Sequence, residues 1–387
     1  MSEPRGRWWQ LALLTTVMLL GMAVWLAASA AGPALAASLH LTPRQTGWLT
    51  SSVQLGFVAG TLAAAILNLA DILPSRWYVA FAAVLAGVAN YSLVAADTFT
   101  AAILSRLFTG VALAGVYPPA MKMAATWFRD RRGLAIGAIV GALTIGKAFP
   151  YLISGFHGLT LDLAIGIPSA MSLTAAVVVA LGYRDGPYLV PPRPFSWGLV
   201  GEVLHESRVR RATGGYLGHM WELYAFWAWL PGFLAALLAG RGAAAEPARV
   251  WGGAMIALGG AGAIWAGWAA DKFGRARVTR LALMISGACC VISPLLFAMP
   301  LWLVLTIATV WGIAVIADSA QFSAMVSEFA PPHAVGTALT LQTSLGFLLS
   351  IATIQLVPIL AALVGWQWSM LILALGPVAG VRALRGL

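Results

Sequence analysis

Charged side chains are scarce in this sequence. Asp, Glu, Lys and Arg make up 9% of its 387 residues, with 13 acids against 23 bases. A soluble globular domain has about 25% charged residues, so the composition excludes that class. The two cysteines, Cys289 and Cys290, are adjacent in an apolar run, which gives neither a disulfide framework nor metal-ligand spacing. We therefore expect no metal and no cofactor.

Apolar residues, by contrast, make up 60% of the chain. They form runs of about 20 residues, the length that a helix needs to cross about 30 Å of hydrocarbon. The sequence thus predicts an all-α polytopic membrane protein that spans the lipid bilayer with twelve transmembrane helices. We expect these spans near 10–35, 46–68, 77–96, 99–122, 133–155, 160–181, 212–238, 250–270, 278–298, 300–325, 335–360 and 364–384.

The N-terminus resembles a secretory signal peptide, because Arg5 and Arg7 precede an apolar stretch that ends in small residues. That stretch runs from about Trp8 to Ala31, which is longer than the core of about 7–15 residues in a signal peptide. We interpret it as the first span.

The basic residues indicate the orientation. Of the 23 Lys and Arg, 18 fall on the side of the two termini, three on the opposite side and two within spans. Cytoplasmic loops carry the positive excess, so we predict that both termini are cytoplasmic in an integral plasma membrane protein, with a bacterial inner membrane as its expected location. Bases spread over short loops do not form the single face that nucleic acid needs, so no nucleic acid partner is expected.

The longest hydrophilic stretch divides the chain into two halves of like topology. We predict an N-terminal six-helix bundle over 1–182, a cytoplasmic linker over 183–211 and a C-terminal six-helix bundle over 212–387. The linker from Trp197 to Arg211 is either an amphipathic surface helix or a solvated segment. A weak repeat supports the division, because Asp71 follows the second span as Asp271 follows the eighth.

The loop after the eighth span, "GWAADKFGRAR", matches the G-x-x-x-D-R/K-x-G-R-x-R/K pattern of the major facilitator superfamily. The matching residues are Gly267, Asp271, Lys272, Gly274, Arg275 and Arg277. In the fourth span, Arg106, Gly110 and Ala114 match a second pattern of the family, with Thr109 in place of its usual Gln. The chain therefore resembles a twelve-span transporter of this superfamily. Of the loop pattern in the first half, Asp71 is the clearest remnant.

The resemblance implies two six-helix bundles related by a pseudo-two-fold axis along the membrane normal, with alternating access to a site between them. It implies that Asp271 pairs with Arg275 or Arg277 and meets the start of the fifth span near Arg132 and Gly133, as part of a cytoplasmic gate. The alternative is that the basic residues only enforce orientation. The fifth span lacks the Gly-Pro pair of the family's antiporter pattern. This absence disfavours a drug exporter.

Ionisable residues inside spans are costly and point to function. Here they are Arg106 and Lys147 in the first half, and His219, Glu222 and Asp318 in the second half. His219 and Glu222 are three residues apart and share a helix face, near the depth at which transporters bind substrate. A carboxyl there can exchange a proton that a His relays, although a fixed polar pair between helices is the alternative.

The other ionisable residues within spans, Arg106, Lys147 and Asp318, also have open roles. Arg106 either holds an acid or attracts an anion, and the resemblance ties it to proton coupling. Lys147 is either the partner of a substrate carboxylate or the counter-ion of Glu222. Asp318 serves either substrate contact or a gate. In the family the first, fourth, seventh and tenth helices line the cavity, which adds Trp25, Tyr117 and Gln321 to the predicted site.

We expect a monomeric secondary active transporter that moves a small organic anion together with protons by alternating access. The alternatives are a proton-coupled exporter of cationic or amphipathic compounds and a solute sensor of the same fold that signals without transport. The sequence contains no Walker loop or nucleophile arrangement, so no enzyme is expected.

Overall fold

The computed structural model describes residues 4–129, 131–156, 159–188 and 195–387. Every regular element in these ranges is a helix. Within the same ranges, eleven helical stretches are long and apolar enough to cross a membrane. We number them as the first to the eleventh span: Arg7–Val24, Pro43–Ile66, Ser75–Ala95, Phe99–Ala125, Arg132–Ile153, Leu161–Gly182, Ser207–Ala239, Pro247–Phe273, Arg275–Ala298, Leu301–Phe329 and Val335–Val364.

The twelfth span is divided into three shorter pieces, namely Trp366–Ser369, Met370–Ala374 and Leu375–Ala383. The last piece packs against the seventh and ninth spans. Together the pieces cover the region in which the sequence predicts the twelfth span.

The linker between the halves differs in detail from the prediction. The seventh span begins at Ser207, five residues before the predicted boundary, because the Glu206 side chain accepts a hydrogen bond from the backbone N–H of Arg208 and caps the helix. The predicted surface helix is a 3₁₀ turn, Trp197–Leu199, followed by a short helix, Val200–His205. Residues 189–194, which include Arg193, lie outside the described ranges, and the domain boundaries remain a prediction.

We refer to spans one to six as the first half and to spans seven to twelve as the second half. Between the halves, the fifth span packs along the eighth and the second span packs along the eleventh. Glycines allow the first of these approaches. A Cβ on Gly137 would lie 2.6 Å from the carbonyl oxygen of Ala263, and a Cβ on Gly141 would lie 2.6 Å from that of Gly260.

The first described residues, near Arg7, and the last ones, near Arg385, lie at the end of the molecule that carries the basic loops. The guanidinium of Arg7 stacks 5.5 Å from the ring of Phe128, next to the loop after the fourth span. At the other terminus, the backbone carbonyl of Arg385 accepts a hydrogen bond from Arg211. We call this the terminus end; it is the end that the sequence predicts to be cytoplasmic.

The fourth and tenth spans are interrupted at interior positions, and the first span ends in a 3₁₀ turn before the chain becomes helical again at Ala27. The first span changes to a 3₁₀ turn at Met22–Val24, the fourth breaks before Tyr117–Ala125, and the tenth breaks between Leu301–Ala317 and Ser319–Phe329. In the fourth span the break precedes Pro118 and Pro119, and proline cannot donate the helical hydrogen bond. Such breaks leave backbone groups that must be satisfied inside the protein.

Candidate substrate and gating site

A cavity of about 430 Å³ lies between the two halves at the terminus end. The first half contributes Asp71 and Lys122 to its wall, and the second half contributes Arg275 and Glu328. The side chain of Glu328 is 51% exposed, so the cavity reaches the protein surface at this end. Tyr117 lies on its wall, deeper inside the protein.

Aromatic rings close the path beyond Tyr117. The ring of Tyr117 stacks on Phe57 of the second span at 6.5 Å, and Phe57 meets Phe347 of the eleventh span at 4.6 Å. Farther from the terminus end, Gln355 Nε2 donates a hydrogen bond to Ser51 Oγ across the halves at 2.9 Å. The cavity is therefore open toward the terminus end and closed toward the opposite end.

Lys147 lies at the boundary between the halves and is 2% exposed. Its ammonium donates a hydrogen bond to the hydroxyl oxygen of Tyr224 in the seventh span at 2.6 Å. It also lies 3.8 Å from the ring centroid of Trp25 and 5.3 Å from that of Trp227. An ammonium over aromatic faces is stabilised by the ring quadrupoles. The ion pair with Glu222 that the sequence suggested is not formed.

Arg106 is fully buried and bonds within the first half. Its guanidinium donates to the carbonyl oxygens of Val24 at 3.1 Å and Trp25 at 2.6 Å, and to Asn90 Oδ1 at 2.5 Å. It thus satisfies the carbonyls freed by the break in the first span. The sequence singled out Arg106, but it placed this side chain around the cavity, whereas the structure turns it toward its own bundle.

His219 and Glu222 have separate partners, although they lie three residues apart. His219 Nδ1 lies 2.8 Å from Asp318 Oδ1, at the break in the tenth span. Both side chains are almost fully buried. The pair joins the seventh span to the tenth within the second half.

Glu222 is surrounded by hydrogen-bond donors of the second half. Its Oε1 accepts from Trp311 Nε1 at 2.6 Å and from Cys290 Sγ at 3.2 Å, and its Oε2 lies 2.9 Å from Ser286 Oγ. Among the described residues no salt bridge to Glu222 is formed. A buried carboxyl with neutral partners can hold a proton.

The loop after the eighth span meets the start of the fifth span. Asp271 Oδ2 accepts a hydrogen bond from the backbone N–H of Leu134 at 3.2 Å, and its Oδ1 lies 3.9 Å from Arg275 Nη1. Arg275 also donates to Glu328 Oε1 at 2.8 Å. A carboxylate at a helix N-terminus is stabilised by the helix dipole. These are the contacts that the family resemblance implied for Asp271.

The other residues of the motif shape this loop. Gly274 adopts φ +91°, a conformation that side chains rarely tolerate. Gly267 packs its backbone against that of Gly133. The Lys272 ammonium lies 5.4 Å from the ring of Trp268. Arg277 is exposed, and the motif arginine next to Asp271 is Arg275.

In the first half the equivalent acid is held differently. Asp71 forms a salt bridge with Lys122 of its own half, and Lys122 also donates to the carbonyl of Ala70 at 2.8 Å. Val335 and Gly336, at the start of the eleventh span, lie on another part of the cavity wall. The second-half acid therefore bridges the two halves, whereas Asp71 pairs inside one half.

The remaining predicted site residues are divided between the cavity and the protein interior. Gln321 is buried and accepts a hydrogen bond from Arg275 Nη1 at 3.0 Å. Trp25 is fully buried among rings, and Tyr117 lines the cavity. Phe57 and Phe347, which close the path, were missed, because no sequence signal distinguishes one buried Phe in a span from another.

Comparisons with known proteins agree with this architecture. Crystal structures of a bacterial homolog to the human lysosomal transporter Spinster, inward-facing and either occupied or unoccupied, share the fold with TM-scores of 0.73. Their sequence identities to this chain are 16% and 15%, over 99% of this chain and 97% of theirs. A mutant of the nucleoside transporter NupG aligns with a TM-score of 0.71 and 16% identity, over 97% of this chain and 98% of its own.

These alignments confirm the predicted fold of two six-helix bundles. A search of the curated proteins finds no matching sequence. Residues 13–245 match the sequence model of the Major Facilitator Superfamily. That match covers more than half of the 387 residues, and the chain therefore belongs to the Major Facilitator Superfamily of secondary transporters.

Proposed function

We propose that the protein moves a small organic anion together with protons across the membrane by alternating access. The observation that carries this proposal is Lys147, a buried cation at the boundary between the halves. Its hydrogen-bond partner is the neutral hydroxyl of Tyr224. A buried charge is costly unless it is paired, so a substrate anion at this point gains a strong partner.

The distribution of the acids supports an anion in preference to a cation. Glu222 and Asp318 lie inside the second half, each with hydrogen-bonding or ionic partners there. Neither is among the residues that line the cavity. The carboxylates that do line the cavity, Asp71 and Glu328, are paired with Lys122 and Arg275. A cationic substrate therefore meets no unpartnered carboxylate among the described residues of the cavity wall.

The cavity supports alternating access. It opens at the terminus end, where basic loops are concentrated, and aromatic contacts between the halves close it toward the other end. In the proposal the terminus end faces the cytoplasm, because basic loops are retained there. The opposite state requires the second and eleventh spans to separate and the terminus end to close.

Glu222 is the proposed proton carrier. Ser286 has a single hydroxyl proton, and its Oγ lies 2.9 Å from Glu222 Oε2 and 3.3 Å from the carbonyl oxygen of Leu283. An ionised Glu222 accepts a hydrogen bond from that hydroxyl. A protonated Glu222 donates to Ser286, which then donates to Leu283. Both protonation states are thus hydrogen-bonded without rearrangement of the helices.

The experiment is solute-driven proton movement in proteoliposomes with a pH-sensitive dye inside. Organic anions and organic cations are added to the parent protein and to Glu222→Gln, with the exposed acid variant Asp97→Asn as the control. We expect proton uptake with an anion, and we expect Glu222→Gln to abolish it while Asp97→Asn does not.

Other outcomes would support other functions. Proton release driven by an added cation would favour an exporter of cationic compounds. Binding of a solute without any flux would favour a sensor. Anion-driven proton uptake that persists in Glu222→Gln would assign the proton to another group, with the His219–Asp318 pair next to be tested.

A further inference from the structure

Hydrogen-bond donors without acceptors gather around Lys147. Trp25 Nε1 and Trp227 Nε1 are buried and have no hydrogen-bond partner in the described structure. Both indole rings lie within 5.3 Å of the Lys147 ammonium. Tyr151, one helical turn beyond Lys147 on the fifth span, is 2% exposed. Its hydroxyl has no partner with full hydrogen-bond geometry, and Ser29 is the side chain with which it interacts. Tyr224 accepts from Lys147 and keeps its own proton to donate.

This donor excess is unusual, because buried polar groups are nearly always paired. A ligand that supplies acceptor oxygens would satisfy several of these donors together. Lys147 contributes one positive charge, and Arg106 is committed to the carbonyls of Val24 and Trp25. The cluster therefore suits a ligand with one negative charge, such as a monocarboxylate, better than a dicarboxylate.

Aromatic rings surround the same point. Trp25 stacks on Tyr224 at 5.7 Å, lies 5.1 Å from Phe57 and lies 5.7 Å from Phe347. Several of these contacts join the two halves, so they separate when the halves move apart. A flat ring in the ligand would replace them with stacking contacts of the same kind.

We infer that the site around Lys147 recognises an aromatic monocarboxylate, with the carboxylate on Lys147 and the unpartnered donors, and the ring among Trp25, Phe57 and Phe347. The inference rests on the proposed anion transport and adds a substrate class to it. Phe57 and Phe347 separate the site from the cavity wall at Tyr117, so the ligand reaches Lys147 when these two rings part.

Calorimetric titration of the full-length protein in detergent tests the inference with four probes. Benzoate carries the charge and the ring, cyclohexanecarboxylate carries the charge on a saturated ring, benzamide carries the ring without the charge, and succinate carries two charges without a ring. The variants are Lys147→Met and Tyr151→Phe, with the exposed Tyr91→Phe as the matched control for the second.

We expect benzoate to bind about two- to tenfold more tightly than cyclohexanecarboxylate, which is the range that aromatic pairing supplies. Benzamide and succinate should bind more weakly than both. Lys147→Met should weaken benzoate binding by about tenfold or more, since a charge-assisted hydrogen bond is lost. Tyr151→Phe should weaken it by a smaller factor, and Tyr91→Phe should leave it unchanged.

The outcomes separate the two proposals. Equal binding of benzoate and cyclohexanecarboxylate would overturn the aromatic class and leave anion transport intact. Benzoate binding that is unchanged in Lys147→Met would overturn the assignment of the binding site to Lys147. If neither these probes nor the anions of the proteoliposome panel bind or drive protons, anion transport itself is overturned.

Discussion

The carboxylate of Asp271 in the second half accepts a hydrogen bond from the backbone N–H of Leu134 in the first half. Its counterpart, Asp71, pairs with Lys122 inside the first half. The terminus end is thus held together where the fifth span meets the eighth, and it is open beside the second and eleventh spans. The two acids of the weak repeat therefore have different partners, since Asp271 contacts the other half and Asp71 contacts its own half.

This asymmetry predicts the effect of Asp271→Asn. The amide keeps the shape of the side chain but loses the charge that the helix N-terminus stabilises, by about 0.3–1 kcal/mol at an exposed site. We expect the contact to open more often. A cysteine introduced at Ile136, on the cavity wall, should react faster with an impermeant maleimide in Asp271→Asn than in the parent.

The control for this variant is Asp97→Asn, which removes an exposed acid at the other end of the protein. The native cysteines contribute little background, because Cys289 and Cys290 are buried. An unchanged reaction rate at position 136 would show that Asp271 orients the loop without holding the halves together, which is the alternative that the sequence left open.

Close packing of the fifth and eighth spans gives a second prediction. A Cβ at position 141 would lie 2.6 Å from the carbonyl oxygen of Gly260, so Gly141→Ala forces the two helices apart. Overpacking of this kind costs about 1–3 kcal/mol. We expect a lower melting temperature in detergent and slower transport.

Gly201→Ala is the matched control for Gly141→Ala. It adds the same methyl group to a short helix where a Cβ would have nothing within 4 Å. Its melting temperature should equal that of the parent. If Gly141→Ala also melts like the parent, the interface between these spans is soft enough to adjust, and the rigid contact inferred from the glycines is wrong.

The amino-acid sequence predicts the spans and the gate loop because both are local properties. A run of about 20 apolar residues specifies a membrane helix, and the motif from Gly267 to Arg277 lies in one loop. The start of the seventh span was misplaced, because Glu206 extends that helix by capping it with a charged side chain. Hydropathy does not register such a cap.

Side-chain partners were harder to predict because they depend on how each helix rotates about its axis. Lys147 and Glu222 were plausible partners by depth alone. The rotation of the seventh span instead brings Tyr224 to Lys147 and directs Glu222 toward Trp311 in its own half. Two residues of the same helix thus contact different neighbours. A single amino-acid sequence does not contain the contacts that would assign these partners.

Arg106→Lys is expected to destabilise the protein. An arginine guanidinium reaches Asn90 and the carbonyls of Val24 and Trp25 at once, whereas a lysine offers one compact ammonium. Loss of a hydrogen bond that leaves a buried group unsatisfied costs about 1–3 kcal/mol. The melting temperature in detergent should fall, and it should fall further than in the exposed control Arg44→Lys.

The Asn90→Leu variant tests whether Arg106 supports the first span or takes a direct part in proton coupling. It removes one of the three acceptors of Arg106 and the amide that donates to Ser169 Oγ and to the carbonyl of Ile165, but it leaves both carbonyl contacts of Arg106. If Arg106 supports the broken helix, Asn90→Leu should lower the melting temperature and keep proton uptake per transported anion unchanged. A changed proton ratio in a stable Asn90→Leu protein would instead place Arg106 in the coupling path.

The contact between Phe57 and Phe347 predicts which substitution exposes Lys147. These rings, 4.6 Å apart, close the path between the cavity and the Lys147 site. Phe347→Leu shortens one of them and avoids the cost of about 3–5 kcal/mol that Phe→Ala incurs in a core. A cysteine at position 147 should then be alkylated faster from the terminus end than in a protein that keeps Phe347. The control is Phe81→Leu, because Phe81 is 64% exposed on the outer surface of the bundle and its loss leaves the closure intact. Equal alkylation rates with and without Phe347 would mean that another group blocks the path, and Trp25, which contacts both rings, would be the next residue to shorten.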